Sequence, residues 1–180
     1  MIQIYGKGGH ARMIASILDG EVSFFNDETF HEANNMSEWI IGIGNNSDRL
    51  KIATKLGDAR FTNALGGLVV KTDDIGVGVV ISLGAVIQGD VKIGDHVIVN
   101  TSASIDHDCI IGKFCHIAPN STLCGGVTIG DGTLIGAGSV ILPNLTVGKN
   151  CTIGAGSVVT KNIADNSMVF GNPARPIQGH

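Results

Sequence analysis

From Ile75 onward an aliphatic residue returns at every sixth position: Ile75, Ile81, Ile87, Ile93, Val99, Ile105, Ile111, Ile117, Leu123, Ile129, Ile135, Ile141, Val147, Ile153 and Val159. Four residues after each stands a side chain that is mostly small or β-branched, among them Val79, Ala85, Ala103, Cys109, Cys115, Ser121, Thr133, Ser139, Cys151 and Ser157. A period of six excludes one straight α-helix, because at 3.6 residues per turn the apolar positions would spiral around its surface. Three short strands per turn accommodate it. Each hexapeptide then forms one flat side and one corner, eighteen residues complete a triangular coil, and residues 75–164 make about five coils of a parallel β-helix. Coils stacked at the inter-strand spacing of about 4.8 Å give a prism roughly 24 Å tall. The large aliphatics fill it, and the small residues sit beside its corners. Glycine, 26 of 180 residues, accumulates after the aliphatic (Gly76, Gly94, Gly112, Gly130, Gly136, Gly148, Gly154) and near the corners, where the backbone takes turns that a side chain would forbid.

Residues 1–74 lack this register and hold six of the eight aromatic residues, so they form a separate small α/β domain. Ile2 to Tyr5 reads as a strand, Ala11 to Leu18 as a helix, Val22 to Phe25 and Trp39 to Ile43 as further strands, and Ser47 as the N-cap of a helix through Lys55. This βαβ order is half of a Rossmann-like sheet, placed to cap one end of the prism. Residues 165–180 read as a C-terminal loop at the other end. The formal charge of -4 offers no positive field for nucleic acid or anionic lipid. No window reaches the roughly 18 apolar residues of a membrane span, and glycine interrupts the N-terminus before a signal-peptide core could form, so a cytoplasmic protein is expected. Cys109, Cys115, Cys124 and Cys151 show no CxxC pair and read as reduced core residues. Asn-x-Ser/Thr matches, among them those at Asn45, Asn100, Asn120 and Asn144, have no meaning in a cytosolic chain.

Gly6-Lys7-Gly8-Gly9-His10-Ala11 fits G-x-G-x-x-G/A between a strand and a helix, where main-chain N–H groups can hold a phosphate, and Asp27 follows about twenty residues on at the end of the second strand. A tight strand-to-helix turn is the plainer reading of the same residues. Within the prism, His107 falls at a corner between Asp106 and Asp108. Carboxylates beside an imidazole fix its tautomer and hold its pKa at or above 6.5, which suits a general base; a solvated corner histidine is the alternative. One coil of eighteen residues further on lies Gly125, followed by Gly126, so a bare peptide N–H about 5 Å from the base could face an oxyanion, as acyl transfer requires. His116 precedes the inward Ile117 and projects from a flat face. His96 lies near a corner without acids on both sides and reads as solvated; His31 and His180 carry no signal.

The unbroken hexapeptides resemble the hexapeptide-repeat acyltransferases. The resemblance implies a left-handed β-helix, a homotrimer, and acyl-CoA bound in the clefts between neighbouring prisms. More narrowly, the order GKGGHA, FFND, IGIGNNSDR, SIDHDCIIGKFCHIAPN and GNPAR resembles the NeuD/PglD-type sugar acetyltransferases across essentially the whole chain. These comprise sialic acid O-acetyltransferases and N-acetyltransferases of nucleotide-linked 4-amino sugars in bacterial surface glycan biosynthesis. The resemblance implies that His107 is the general base, that Asp108 or Asp106 orients it, and that the Gly125 N–H faces the acetyl oxygen. It further implies that His116, Gly125, Gly126 and, in GNPAR, Pro173 and Arg175 lie at the acetyl-CoA site, and that Gly8, Gly9, His10, Asn26, Asp27 and Asn100 bind the nucleotide sugar, with no metal. Two departures stand out: Asn26 replaces the first of two aspartates, and Glu28 stands where a basic residue would suit a diphosphate. The expected reaction is transfer of acetyl from acetyl-CoA to a sugar amine, with a sialic acid hydroxyl as the alternative acceptor. A γ-carbonic-anhydrase-like zinc site built from His96, His107 and His116, whose spacing does not suggest a tetrahedral set, and a prism without turnover are the remaining readings.

Overall fold

The computed structural model describes residues 1–33, 36–70, 72 and 74–177; His180 and the end of the predicted loop lie outside them. The N-terminal unit is a three-stranded parallel sheet. β1 (Ile2–Tyr5) is central between β2 (Val22–Phe25) and β3 (Glu38–Ile41), with α1 (Gly9–Ala15) after β1 and α2 (Asn46–Leu56) after β3. The alternation along β1 and β3 decides the packing. Ile4 and Ile40 turn to α1, where Ala11 and Ile14 are buried, while Trp39 lies on the other side among Tyr5, Phe25 and Phe30. The cap of α2 is Asn45, not Ser47: the Asn45 side chain accepts the Asp48 N–H at 3.0 Å, and Ser47 Oγ donates to Asn45 Oδ1 at 2.8 Å.

The hexapeptide region winds into a three-sided column of parallel strands, two residues each, strand residues pairing with those eighteen positions on until the last turn. A first face carries Val80–Ile81, Ile98–Val99, His116–Ile117, Leu134–Ile135 and Thr152–Ile153; a second carries Val86–Ile87, Ser104–Ile105, Thr122–Leu123, Val140–Ile141 and Val158–Val159; a third carries Lys92–Ile93, Ile110–Ile111, Thr128–Ile129 and Thr146–Val147. The second residue of each pair points inward, and all fill one continuous core. Ile135 is fully buried there. Ile135→Ala is expected to cost about 2–5 kcal/mol, the range for an aliphatic truncation in a tightly filled core. Urea unfolding measures it, and a loss below about 1 kcal/mol would mean that this layer is loosely packed.

The column is longer than the period indicates at its start and breaks phase at its end. Ala64–Leu65 and Leu68–Val69, within the region predicted as a separate domain, already pair with Val80–Ile81 and Val86–Ile87. After Val159 the repeat shortens by two: Ile163, expected at a small-residue position, pairs with Val147, and Met168–Phe170 continues the first face beside Thr152–Ile153. The region predicted as a loop is therefore partly stranded, since Arg175–Pro176 returns antiparallel on Met168–Phe170. The N-terminal unit does not sit over the open end. It covers the outer side of the first face, where Val80 and Ile98 join the cluster of Ile4, Ala11, Ile14, Ile40 and Ala64.

Two different positions demand glycine. The corner residue itself is left-handed, as at Gly126 (φ 71°), and Asp or Asn takes that place elsewhere, as at Asp108 (φ 60°) and Asn144 (φ 58°). The glycines after the aliphatic answer to crowding instead: a Cβ at Gly94 would stand 2.8 Å from Lys113 N in the next coil. The small inward residues are braces. Ser121, Thr133 and Ser139 donate to the carbonyls of Gly136, Gly148 and Gly154, each fifteen residues on, so their buried hydroxyls are satisfied and tie one coil to the next.

Candidate active site

His107 stands at the corner where the chain passes from the second face to the third. Its two acidic neighbours divide the work. Asp106 Oδ1 accepts the main-chain N–H of His107 at 2.8 Å and shapes the corner, whereas Asp108 Oδ2 lies 2.7 Å from Nδ1 of the ring. A carboxylate can only accept, so Nδ1 carries the proton and Nε2 offers its lone pair. The hydrogen bond to Asp108, then the charge of Asp106, hold the His107 pKa above its ordinary 6.5. Directly across the next rung is Gly125: a Cβ there would lie 2.7 Å from Cε1 and 2.8 Å from Nε2. Only a residue without a side chain leaves that nitrogen open. The Gly126 N–H is committed to the His107 carbonyl at 2.9 Å, which leaves the Gly125 N–H as the candidate oxyanion donor.

A second constellation lies on the first face, beneath the N-terminal unit. His116 Nδ1 meets the Gly44 carbonyl at 3.1 Å, and its Nε2 meets Asn100 Nδ2 at 3.0 Å. The His10 ring is 6.5 Å away, and its buried Nε2 has no partner among the described residues. Burial first, then neighbouring positive charge, lowers both histidines to about 4, so both are neutral at physiological pH. A groove of about 340 Å³ runs from here down the column between Gly44, Asn46, His116, Leu134, Asn150 and Thr152. Space around Gly8 is open; at Gly9 the nearest contact is the tip of Arg12.

At the end of β2, Asn26 is spent on a turn, its Oδ1 accepting from Thr29 N–H and Oγ1–H. Asp27 is exposed and accepts from the Tyr5 hydroxyl and the Lys55 ammonium, each at 2.6 Å, which hold its carboxyl below the usual range. Lys55 thus places a basic group beside Asp27. It comes from α2, 28 residues further along, where no local pattern points to it. Pro173 and Arg175 lie at the far end of the first face, four strands from His116, or about 19 Å at the spacing of a sheet. One chain therefore gathers the predicted residues into separate groups. His107, Asp106, Asp108, Gly125 and Gly126 share a corner opposite the first face, and Asn100 and His116, at the first face, lie beside His10 of α1.

His96 corrects the expectation of a solvated corner. It is 5% exposed, stacked on Phe114 at 5.0 Å and edge-on to Phe61 at 4.6 Å, and burial lowers it to about 4. An imidazole enclosed by two phenyl rings does not serve a zinc site shared with His107 and His116. His10, His96 and His116 bind protons in the unfolded chain below pH 6.5 but in the folded protein only near pH 4. Their contribution to stability is therefore present above pH 6.5 and is lost as pH falls toward 4. Thermal unfolding at pH 7 and pH 5 should give a lower Tm at pH 5, and His96→Phe should reduce the difference. Equal Tm values would show these imidazoles to be accessible to protons.

A family model described as bacterial transferase hexapeptide (six repeats) matches residues 90–125 and 126–161. No curated protein matches the chain at a significant level. Among solved structures, the acetyltransferase domain of PglB from Neisseria gonorrhoeae is 31% identical over 98% of both chains with a TM-score of 0.90, and the same domain is known in complex with acetyl coenzyme A. PerB from Caulobacter crescentus, in complex with CoA and GDP-perosamine, is 30% identical over 98% of this chain and 96% of that one, with a TM-score of 0.89. WeeI from Acinetobacter baumannii, 24% identical over 98% and 99% of the chains with a TM-score of 0.89, shares the fold. The chain is a hexapeptide-repeat acyltransferase. Within that class it belongs to the NeuD/PglD-type family.

Proposed function

We propose that the protein transfers an acetyl group from acetyl-CoA to the amine of a nucleotide-linked amino sugar, in the cytoplasm, as a homotrimer of left-handed β-helices of about five coils. The observation that carries the chemistry is the His107 corner: a ring fixed by Asp108 at 2.7 Å, with its free Nε2 against a side-chain-free peptide at Gly125. The acetyl-CoA complex of the PglB domain and the CoA and GDP-perosamine complex of PerB support the two substrates.

The separation of the two constellations supports the trimer. A corner on one side of the column and a face on the other are brought together when one chain's His107 corner abuts its neighbour's first face. Such a head-to-tail contact closes into a ring when each surface is used once. His107 and Asp108 of one chain then meet His116, Asn100 and the nucleotide-binding turn of the next. In the reaction the amine nitrogen attacks the thioester carbonyl, and His107 Nε2 takes a proton from that nitrogen. The new C–N bond forms, the Gly125 N–H stabilises the tetrahedral oxyanion, and the C–S bond breaks to release the CoA thiolate. His116 and Asn100, with Gly126, Pro173 and Arg175, line the acetyl-CoA and sugar sides, and Gly8, Gly9, His10, Asn26 and Asp27 receive the nucleotide. Thiol release from acetyl-CoA over UDP-, GDP- and dTDP-linked amino sugars and free sialic acids tests the reading. Turnover only with an amino-sugar nucleotide is expected, and turnover only with sialic acid would replace it by O-acetylation.

A further inference from the structure

Arg49, in α2, is 1% exposed, and no carboxylate pairs with it among the described residues. Its guanidinium is met by oxygen dipoles alone. Nε donates to the His96 carbonyl at 2.8 Å, Nη1 to Ile43 at 3.1 Å and Gly44 at 3.0 Å, and Nη2 to Phe114 at 2.9 Å, Cys115 at 3.1 Å and Asn46 Oδ1 at 2.8 Å. The fork thus bridges the loop before α2 to two successive corners of the column. Docking alone does not require this, since an apolar side chain of similar volume would join the two surfaces without desolvating a charge. What a guanidinium provides is direction, because its donors are rigid and planar.

One acceptor leads to the site. The Gly44 carbonyl receives both Arg49 Nη1 and His116 Nδ1, using its two lone pairs. A carbonyl cannot donate, so His116 carries its proton on Nδ1. Its Nε2 then accepts from Asn100 Nδ2, whose amide is oriented by its own Oδ1 accepting the Thr101 N–H at 2.8 Å. We infer that Arg49 is a positioning residue of the acyl-transfer site: by holding the Gly44 carbonyl against His116 it fixes that ring as the Nδ1–H tautomer, with Nε2 presented beside Asn100. The charged and titratable groups facing His116 are Arg49 from α2 and His10 from α1. Arg49 also opposes protonation of the ring, in the same direction as burial.

The inference rests on the proposed acetyl transfer only for its kinetic arm. In that arm, Arg49→Lys keeps the charge and loses the fork, and should lower kcat/KM about tenfold in the parent but by less than twofold when His116 is already alanine. Equal losses in both backgrounds would make Arg49 a general structural brace and overturn the inference. Should His116→Ala alone cost nothing, it is the role of His116 that fails. The second arm needs no activity: ring ¹⁵N NMR of the wild-type protein at pH 6 should show His116 neutral and protonated on Nδ1, with that signal diminished in Arg49→Lys. An Nε2–H tautomer or an imidazolium in the wild-type spectrum overturns the inference, even if the Arg49→Lys protein does not fold.

Discussion

His107→Ala is expected to lower kcat by about two to four orders of magnitude while leaving acetyl-CoA affinity and Tm near their wild-type values. The expected split follows from where the residue stands. Its side chain is 63% exposed, supports no core contact and stands at a corner whose backbone shape is held by Asp106 rather than by the ring. In the proposed reaction it contributes a lone pair on Nε2. Acidification should mimic the substitution: protonation removes the base, so kcat falls as pH drops through the His107 pKa, and Asp108 and Asp106 place that fall above 6.5. Asp108→Asn should move the fall to lower pH and reduce kcat, since the amide holds the ring less firmly and no longer favours the cation. A kcat profile for the two variants beside the wild type reads all of this. Unaltered turnover in His107→Ala would remove the imidazole from the chemistry.

Gly125→Ala is expected to cost about a hundredfold in kcat, an unusual penalty for one methyl group on a surface corner. The φ of Gly125 is not left-handed, so the backbone tolerates alanine, and the damage comes from its Cβ standing 2.7 Å from the His107 ring. The ring must rotate away, which breaks its hydrogen bond to Asp108 and withdraws Nε2 from the substrate. Gly126→Ala, one residue on, is strained by φ 71° and meets Asn144 instead, so it should lower Tm with a smaller effect on kcat. Kinetics and thermal unfolding of the pair separate obstruction of the base from strain in the corner. A fully active Gly125→Ala would mean that the ring does not work from the position the structure gives it.

The column and the His107 corner were legible because both are periodic. A repeat of six sets the inward positions, and adding one coil to His107 leads to Gly125 with no knowledge of side-chain contacts. Wherever the period breaks, legibility ends. Ile163 takes an inward strand position two residues ahead of the period because two residues are missing from the last turn, and Leu68–Val69 joins the column before the pattern that announces it begins. His96 was misread because its burial comes from Phe61, which reaches the corner from another part of the chain. Arg49 and Lys55 were invisible for the same reason. A buried arginine inside GNNSDR looks like any solvated helix residue until the carbonyls of Phe114 and Cys115, some 65 residues away, are seen around it. The Asn45 cap was legible in principle, since Asn leads among N-cap residues and Asp48 stands three positions on.

In the proposed trimer each site is built from one chain's His107 corner and the next chain's His116 face. Two impaired variants, His107→Ala and His116→Ala, are each assayed alone and then co-expressed in equal amounts so that mixed trimers form. If neighbouring chains complete each other, mixed trimers contain interfaces with both residues intact, and random assembly returns about a quarter of wild-type activity. A mixture no more active than its two parents would confine each site to a single chain.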